Sequence, residues 1–132
     1  MKKALRDAEK WLEAGEQVKQ VSRSRAKYSV DGSIVTRMIY ADFVLTDRRL
    51  AMLTGFFRKK LTTELRPEHV LDVSAEKAFK APGAYWRPIG KRVLVLKVRK
   101  DGKDAKLGIA VAAAEIEAWR AHIQAWVDDR GA

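Results

Sequence analysis

The hydrophobic period along the chain runs from helical to alternating and back to helical. Within Lys2 to Ala14, Leu5, Ala8, Trp11 and Leu12 recur at helical spacing among charges, and Gly15 follows where a C-terminal cap is wanted. An amphipathic helix is predicted over residues 1–14. From Val18 to Val30 the pattern alternates, with Val18, Ala26, Tyr28 and Val30 on one face and Lys19, Arg23, Arg25 and Lys27 on the other. That strand leads through Asp31-Gly32, a two-residue turn signal, into a second from Ile34 to Thr46, and the two should pair antiparallel. Leu50 to Thr54 forms a third strand after the turn Thr46-Asp47-Arg48-Arg49, where Asp47 is placed to accept nearby backbone N–H groups. Alternation resumes from Arg58 to Leu65 and stops at Pro67, and Leu71, Val73 and Ala75 mark a fifth strand. KAPGAYWRPIGK, Lys80 to Lys91, holds two prolines and two glycines and reads as an irregular stretch, the main loop. RVLVLKVRK and the segment around Leu107, Ile109 and Val111 flank a second turn at Asp101-Gly102. Ile116, Trp119, Ile123 and Trp126, opposite Glu117, Arg120, Gln124 and Asp128, close the chain as a helix. The expectation is a mainly β, α+β chain: seven antiparallel strands and a last helix in one domain at 15–130, with an extra N-terminal helix before it.

A length of 132 residues suits one core. No cysteine is present, which excludes a disulfide scaffold and thiolate metal sites. Charges at Arg6, Asp7, Glu9 and Lys10 break any secretion signal, and Gly108 to Ala114 is far short of the roughly 20 apolar residues of a spanning helix. A cytoplasmic protein, or one peripheral to a membrane, is expected. The net charge of +10 would attract phosphates, acidic proteins or anionic bilayers, although a solvated surface alone also accounts for charge.

Catalytic patterns are lacking. His69 follows a proline and His122 lies in the last helix, neither flanked by a nucleophile motif, and both read as structural or surface residues. Glu68 and His69 lack metal-site spacing, and Gly83, Gly90 and Gly102 form no phosphate loop. No enzyme activity, cofactor or metal is expected. The strongest signal is a run of one sign: Lys77, Lys80, Arg87, Lys91, Arg92, Lys97, Arg99 and Lys100, with no acidic residue between and with Phe79, Tyr85 and Trp86 interspersed. Lys77, Lys80, Tyr85, Trp86, Arg87, Lys91 and Arg92 are the candidate site, a cationic face for an acidic protein or an anionic membrane surface. The competing reading folds Trp86 onto the core and leaves the lysines to water. The row Lys19, Arg23, Arg25, Lys27 reads first as protection of an exposed edge strand and second as an extension of the same cationic face. Of Arg48 and Arg49, one should point outward and the other pair with a carboxylate.

Leu12-x-x-Gly15-Glu16-x-Val18, Leu45-Thr46-Asp47-Arg48-Arg49-Leu50 and Glu68-His69-Val70-Leu71-Asp72-Val73 resemble patterns of bacterial PH-like and GRAM-type domains of the pleckstrin-homology (PH) superfold. The resemblance runs from about Leu12 to Val127. It implies a partly open barrel capped by its last helix, with Trp119 packed on the opening, and the role of a non-catalytic binding module. One feature departs from phosphoinositide-binding PH domains, whose first two strands are joined by a roomy basic loop: here the connection is the tight Val30-Asp31-Gly32-Ser33 turn, with only Lys27 and Arg37 nearby. An alternative is self-assembly into a homo-oligomer, with charge serving solubility. Nucleic acid ranks lower, since helix-turn-helix, RNP and zinc-finger patterns are absent and only sequence-blind attraction would remain.

Overall fold

In the computed structural model, residues 10–30, 36–55, 60–81 and 84–129 are described. The strands are β1 (Val18–Val30), β2 (Thr36–Thr46), β3 (Leu50–Thr54), β4 (Lys60–Leu65), β5 (Val70–Glu76), β6 (Phe79–Ala81), β7 (Ala84–Trp86), β8 (Lys91–Lys100) and β9 (Lys103–Ala112). A 3₁₀ turn, Pro67–His69, precedes β5, and helix α1 (Ile116–Asp129) ends the described chain. Seven strands form one sheet in the order β4-β3-β2-β1-β9-β8-β5, and β6 pairs with β7 alone. All pairings are antiparallel. The count of strands among the described residues is therefore nine, not seven. The two additions lie in the proline- and glycine-rich stretch read as an irregular loop, where Phe79 opposes Trp86 and Lys80 opposes Tyr85. The helix expected over 1–14 falls mostly outside the described residues, and Lys10 to Gly15 holds turns only.

Strand β8 shows why the sheet needs cover on both sides. Val93, Leu94, Val95 and Leu96 are all buried. A continuous apolar run, rather than an alternating one, is the mark of a strand packed on both faces. Leu94 and Leu96 join Phe43, Leu45, Ile109, Trp119 and Ile123 in the main core, on the face that α1 covers. Val93 and Val95 point the other way, into a small cluster with Phe79 and Trp86 of the β6–β7 hairpin. A third cluster lies on Val44, Ala51 and Leu53, where Trp11, Leu12, Val18, Val21 and Leu61 pack. The chain before β1 thus covers one patch of the sheet and the hairpin another.

The hairpin sits so close that the sheet beneath it has no room for a side chain. Gly108 on β9 opposes Val95, and a Cβ there would collide with the ring of Phe79. On the far side, the Lys100 ammonium at the end of β8 donates to the Glu64 carbonyl of β4 at 2.8 Å, linking strands far apart in the sheet order. β1 lies inside the sheet order, paired with β2 along its length and with β9 from Ala26 to Val30, so of the row read as edge protection only Lys27 lies in the stretch paired on both sides. The sheet ends instead at β4 and β5.

Candidate functional site

The β6–β7 hairpin and the strands beside it bound an open cleft of about 930 Å³. Register explains its floor. Asp72 on β5 opposes Lys97 on β8, which opposes Lys106 on β9, making one charged row across three strands. Ser74, Val95 and Gly108 form the next row. Two lysines directly opposite repel one another. Lys106 turns away from that repulsion, donating to the Lys80 carbonyl at 2.8 Å and lying 5.5 Å above the Phe79 ring.

Of the seven residues expected to form the site, Lys77, Lys80, Tyr85 and Arg87 line this cleft. All four are exposed, and Tyr85 keeps 62% of its surface in water. Trp86 does not line it; its ring folds back on Phe79, Val93 and Val95, as the competing reading had it. Alternation along β7 separates the two aromatics, sending Tyr85 outward and Trp86 inward. Lys91 and Arg92 stand exposed at the start of β8, opposite Ala112 and Val111 and outside the cleft. Lys97, Lys106, Asp72, Glu76 and Ser74 also line it, with the apolar Ala75, Ala78 and Val95, without having been singled out as site residues. Lys97 belongs to the basic run already noted, but Lys106 arrives only through the register of β9 on β8. Lys77, Lys80, Arg87, Lys97 and Lys106 face only two carboxylates, Asp72 and Glu76, so the cleft is positive overall.

A separate cluster of charges is buried and internally matched. Arg49, 4% exposed, donates through Nε and one terminal nitrogen to both carboxylate oxygens of Glu16 at 2.9 and 2.7 Å. Its other terminal nitrogen reaches Glu64 at 2.6 Å, and the guanidinium lies 4.7 Å from the Trp11 ring centre. The Thr46 hydroxyl donates to Glu16 at 2.6 Å and accepts from the backbone N–H groups of Arg48 and Arg49 at 3.0 Å. Burial alone would raise the Glu16 pKa, yet the hydrogen bonds from Arg49 and Thr46 hold it down at about 2. The hydrogen bond to Glu16, and with it the one to Glu64, raises the Arg49 pKa. Arg48 remains partly exposed, 3.8 Å from Glu13. One arginine outward and one paired is what the turn led us to expect. Thr46 organises the turn itself, while the Asp47 carboxylate reaches across to the Gln17 N–H at 2.8 Å. The cluster holds the turn and the segment before β1 together, and its charges are satisfied by one another.

Both histidines bind backbone. His69 Nδ1 accepts from the Arg66 N–H at 3.0 Å, and His122 Nε2 lies 3.0 Å from the Thr46 carbonyl. Since a carbonyl only accepts, Nε2 carries the proton there. No group of three or more metal-ligating side chains is brought together among the described residues, and no described helix is long and apolar enough to cross a membrane.

The described residues form a mainly β architecture, antiparallel sheets with one α-helix at the C-terminal end. Among solved structures, the chain is similar to the crystal structure of an N-terminally truncated linker-DH/PH segment of p115-RhoGEF, at 12% identity and a TM-score of 0.50 over 95% of the present chain. A second crystal structure, of the DH/PH domains of p115-RhoGEF, aligns at 12% identity and a TM-score of 0.45 over 86% of the chain. The present chain spans about a third of the first structure's length, 33%, and 31% of the second's. The likeness concerns the fold. No protein-family profile matches the chain, and no curated protein matches it.

Proposed function

We propose that this chain is a non-catalytic binding module of the bacterial PH-like and GRAM type, with its sheet curled into a partly open barrel. In this reading the basic face at the β6–β7 hairpin engages an anionic membrane surface or an acidic protein. The observation that carries it is the convergence of Lys77, Lys80, Arg87, Lys97 and Lys106 on one open cleft against only Asp72 and Glu76. A charge surplus collected on one face creates a local positive potential that guides an anionic partner into place. Tyr85, exposed on the same wall, adds an amphipathic ring suited to a polar–apolar boundary.

Vesicle sedimentation and a titration with an acidic peptide, each at low and at physiological salt, test the reading. Binding to phosphatidylserine-containing vesicles or to the peptide, lost progressively as salt is added, is expected. Equal binding to neutral and anionic vesicles, or binding indifferent to salt, contradicts it.

Self-assembly is a second reading, favoured by the strand edges β4 and β5 at the two ends of the large sheet. A dimer or larger mass that persists on dilution in light scattering would support it. A constant monomer mass across concentration rules it out.

A further inference from the structure

Ile89 is 99% exposed, at the tip of the connection between β7 and β8. Scattered surface apolar residues are ordinary, but one with essentially its whole side chain in water, surrounded in sequence by cations, is a different arrangement. Arg87 precedes it, Lys91 and Arg92 follow it, and all three are exposed. Pro88 and Gly90 flank it directly. The proline fixes φ on one side, and Gly90 adopts φ +72° on the other, a left-handed conformation that favours glycine. The turn therefore holds the isoleucine outward. Below the tip, Trp86 is anchored on Phe79, Val93 and Val95, so the projecting turn is attached to a packed base.

The neighbouring turn has matching character. Lys91 opposes Ala112, which places the tip beside the connection from β9 to α1, where Ala112, Ala113 and Ala114 are all exposed. Glu115 in that connection is the acidic residue nearest in sequence to the alanines. From Lys77 to Lys100 the chain carries no Asp or Glu at all.

We propose that the Pro88-Ile89-Gly90 tip is a membrane wedge: Ile89 enters the headgroup–acyl boundary of an anionic bilayer while Arg87, Lys91 and Arg92 contact lipid phosphates around it. This proposal rests on the basic-face reading and deepens it by assigning the partner and the point of entry. A bilayer fits better than a protein pocket because the tip offers one apolar side chain ringed by long, flexible cations. Such cations can follow mobile phosphates, with their alkyl stems in the boundary and their charges at the headgroups. A single inserted side chain gives weak anchoring alone, so the cleft and tip cations supply the remaining attraction. The face would thus combine an electrostatic approach with a short apolar contact. The arrangement also accounts for Lys91 and Arg92, which the cleft leaves out.

The absence of cysteine makes the test clean, since an Ile89→Cys variant carries one labelling site. An environment-sensitive fluorophore at that position is followed on adding phosphatidylcholine vesicles with and without phosphatidylserine. Ala121→Cys, on an exposed position of α1, serves as the control. The expected result is a blue shift at position 89 with anionic vesicles only, quenched by a label carried in the acyl region, and no shift at 121. Unlabelled Ile89→Ser should bind the same vesicles roughly tenfold more weakly at unchanged thermal stability. If the protein sediments with anionic vesicles while the label at 89 stays in water and Ile89→Ser binds normally, insertion is overturned and the basic-face reading stands. Binding to an acidic peptide without binding to vesicles overturns the wedge and redirects the basic face to a protein partner. Binding to neither overturns both.

Discussion

Burying a guanidinium strips it of water at a cost of several kcal/mol, which only close, well-oriented partners offset. Arg49 has them in Glu16, Glu64 and the Trp11 carbonyl. Replacing it by Met leaves Glu16 buried without its main partner, and a loss of about 3–5 kcal/mol is expected in urea unfolding. A loss below about 1 kcal/mol would assign the pair no more weight than a surface ion pair. The pH dependence follows from the direction of the Glu16 shift. Its folded pKa, about 2, lies below the ordinary carboxylate value of 4.5, so the unfolded chain binds the proton more readily. The stabilisation is complete above about pH 4.5 and is lost as pH falls toward 2. The lowered Glu64 pKa acts in the same direction. Wild type should therefore lose urea resistance steeply across that interval, and Glu16→Gln should start less stable and lose less. Parallel curves for the two proteins would contradict the assignment. At this scale the sequence showed that one arginine would pair, because an Asp-containing turn between apolar runs limits the choices. It did not show that the partner is Glu16, 33 residues away, because the pairing of β1 with β2 brings the two together.

Among the elements, the β6–β7 hairpin is the one that composition concealed. Its strands are three residues each, too short for alternation to register, and Pro82-Gly83 between them and Pro88 and Gly90 after them signal irregular chain. What stabilises it is tertiary: Phe79 buried over Gly108, with Trp86 beside it. Gly108→Ala should displace that ring at a cost of about 1–3 kcal/mol. It should also raise hydrogen exchange at β6 and β7 before it does so in the central strands. A smaller side chain at position 79 should relieve part of the damage, so Gly108→Ala with Phe79→Leu should cost less than the two single changes together. Simple additivity would mean the ring and the glycine do not meet. The longer elements were legible. The alternation of β1, the turn pairs, the unbroken apolar run of β8 and the helical spacing of Trp119 and Trp126 all carry over many residues.

For the whole molecule, a net charge of +10 leaves open whether binding follows from total charge or from its placement. The basic run was visible in sequence, but its convergence was not, because Lys97 and Lys106 meet the hairpin only through the registers of β5, β8 and β9. The same registers brought Asp72 and Glu76 to the cleft, which no charge count along the run would include. A comparison at equal charge separates the two possibilities. One variant replaces Lys77, Lys80 and Arg87 by Gln; the other replaces Lys10, Lys19 and Lys103, which are exposed and stand outside the cleft. Each removed cation that acts at the surface should weaken binding by about 1 kcal/mol, so the cleft variant should bind anionic vesicles on the order of a hundredfold more weakly than wild type. The control variant should stay within a few-fold of wild type. Equal losses in the two variants would show that total charge governs binding, and the cleft would then hold no site.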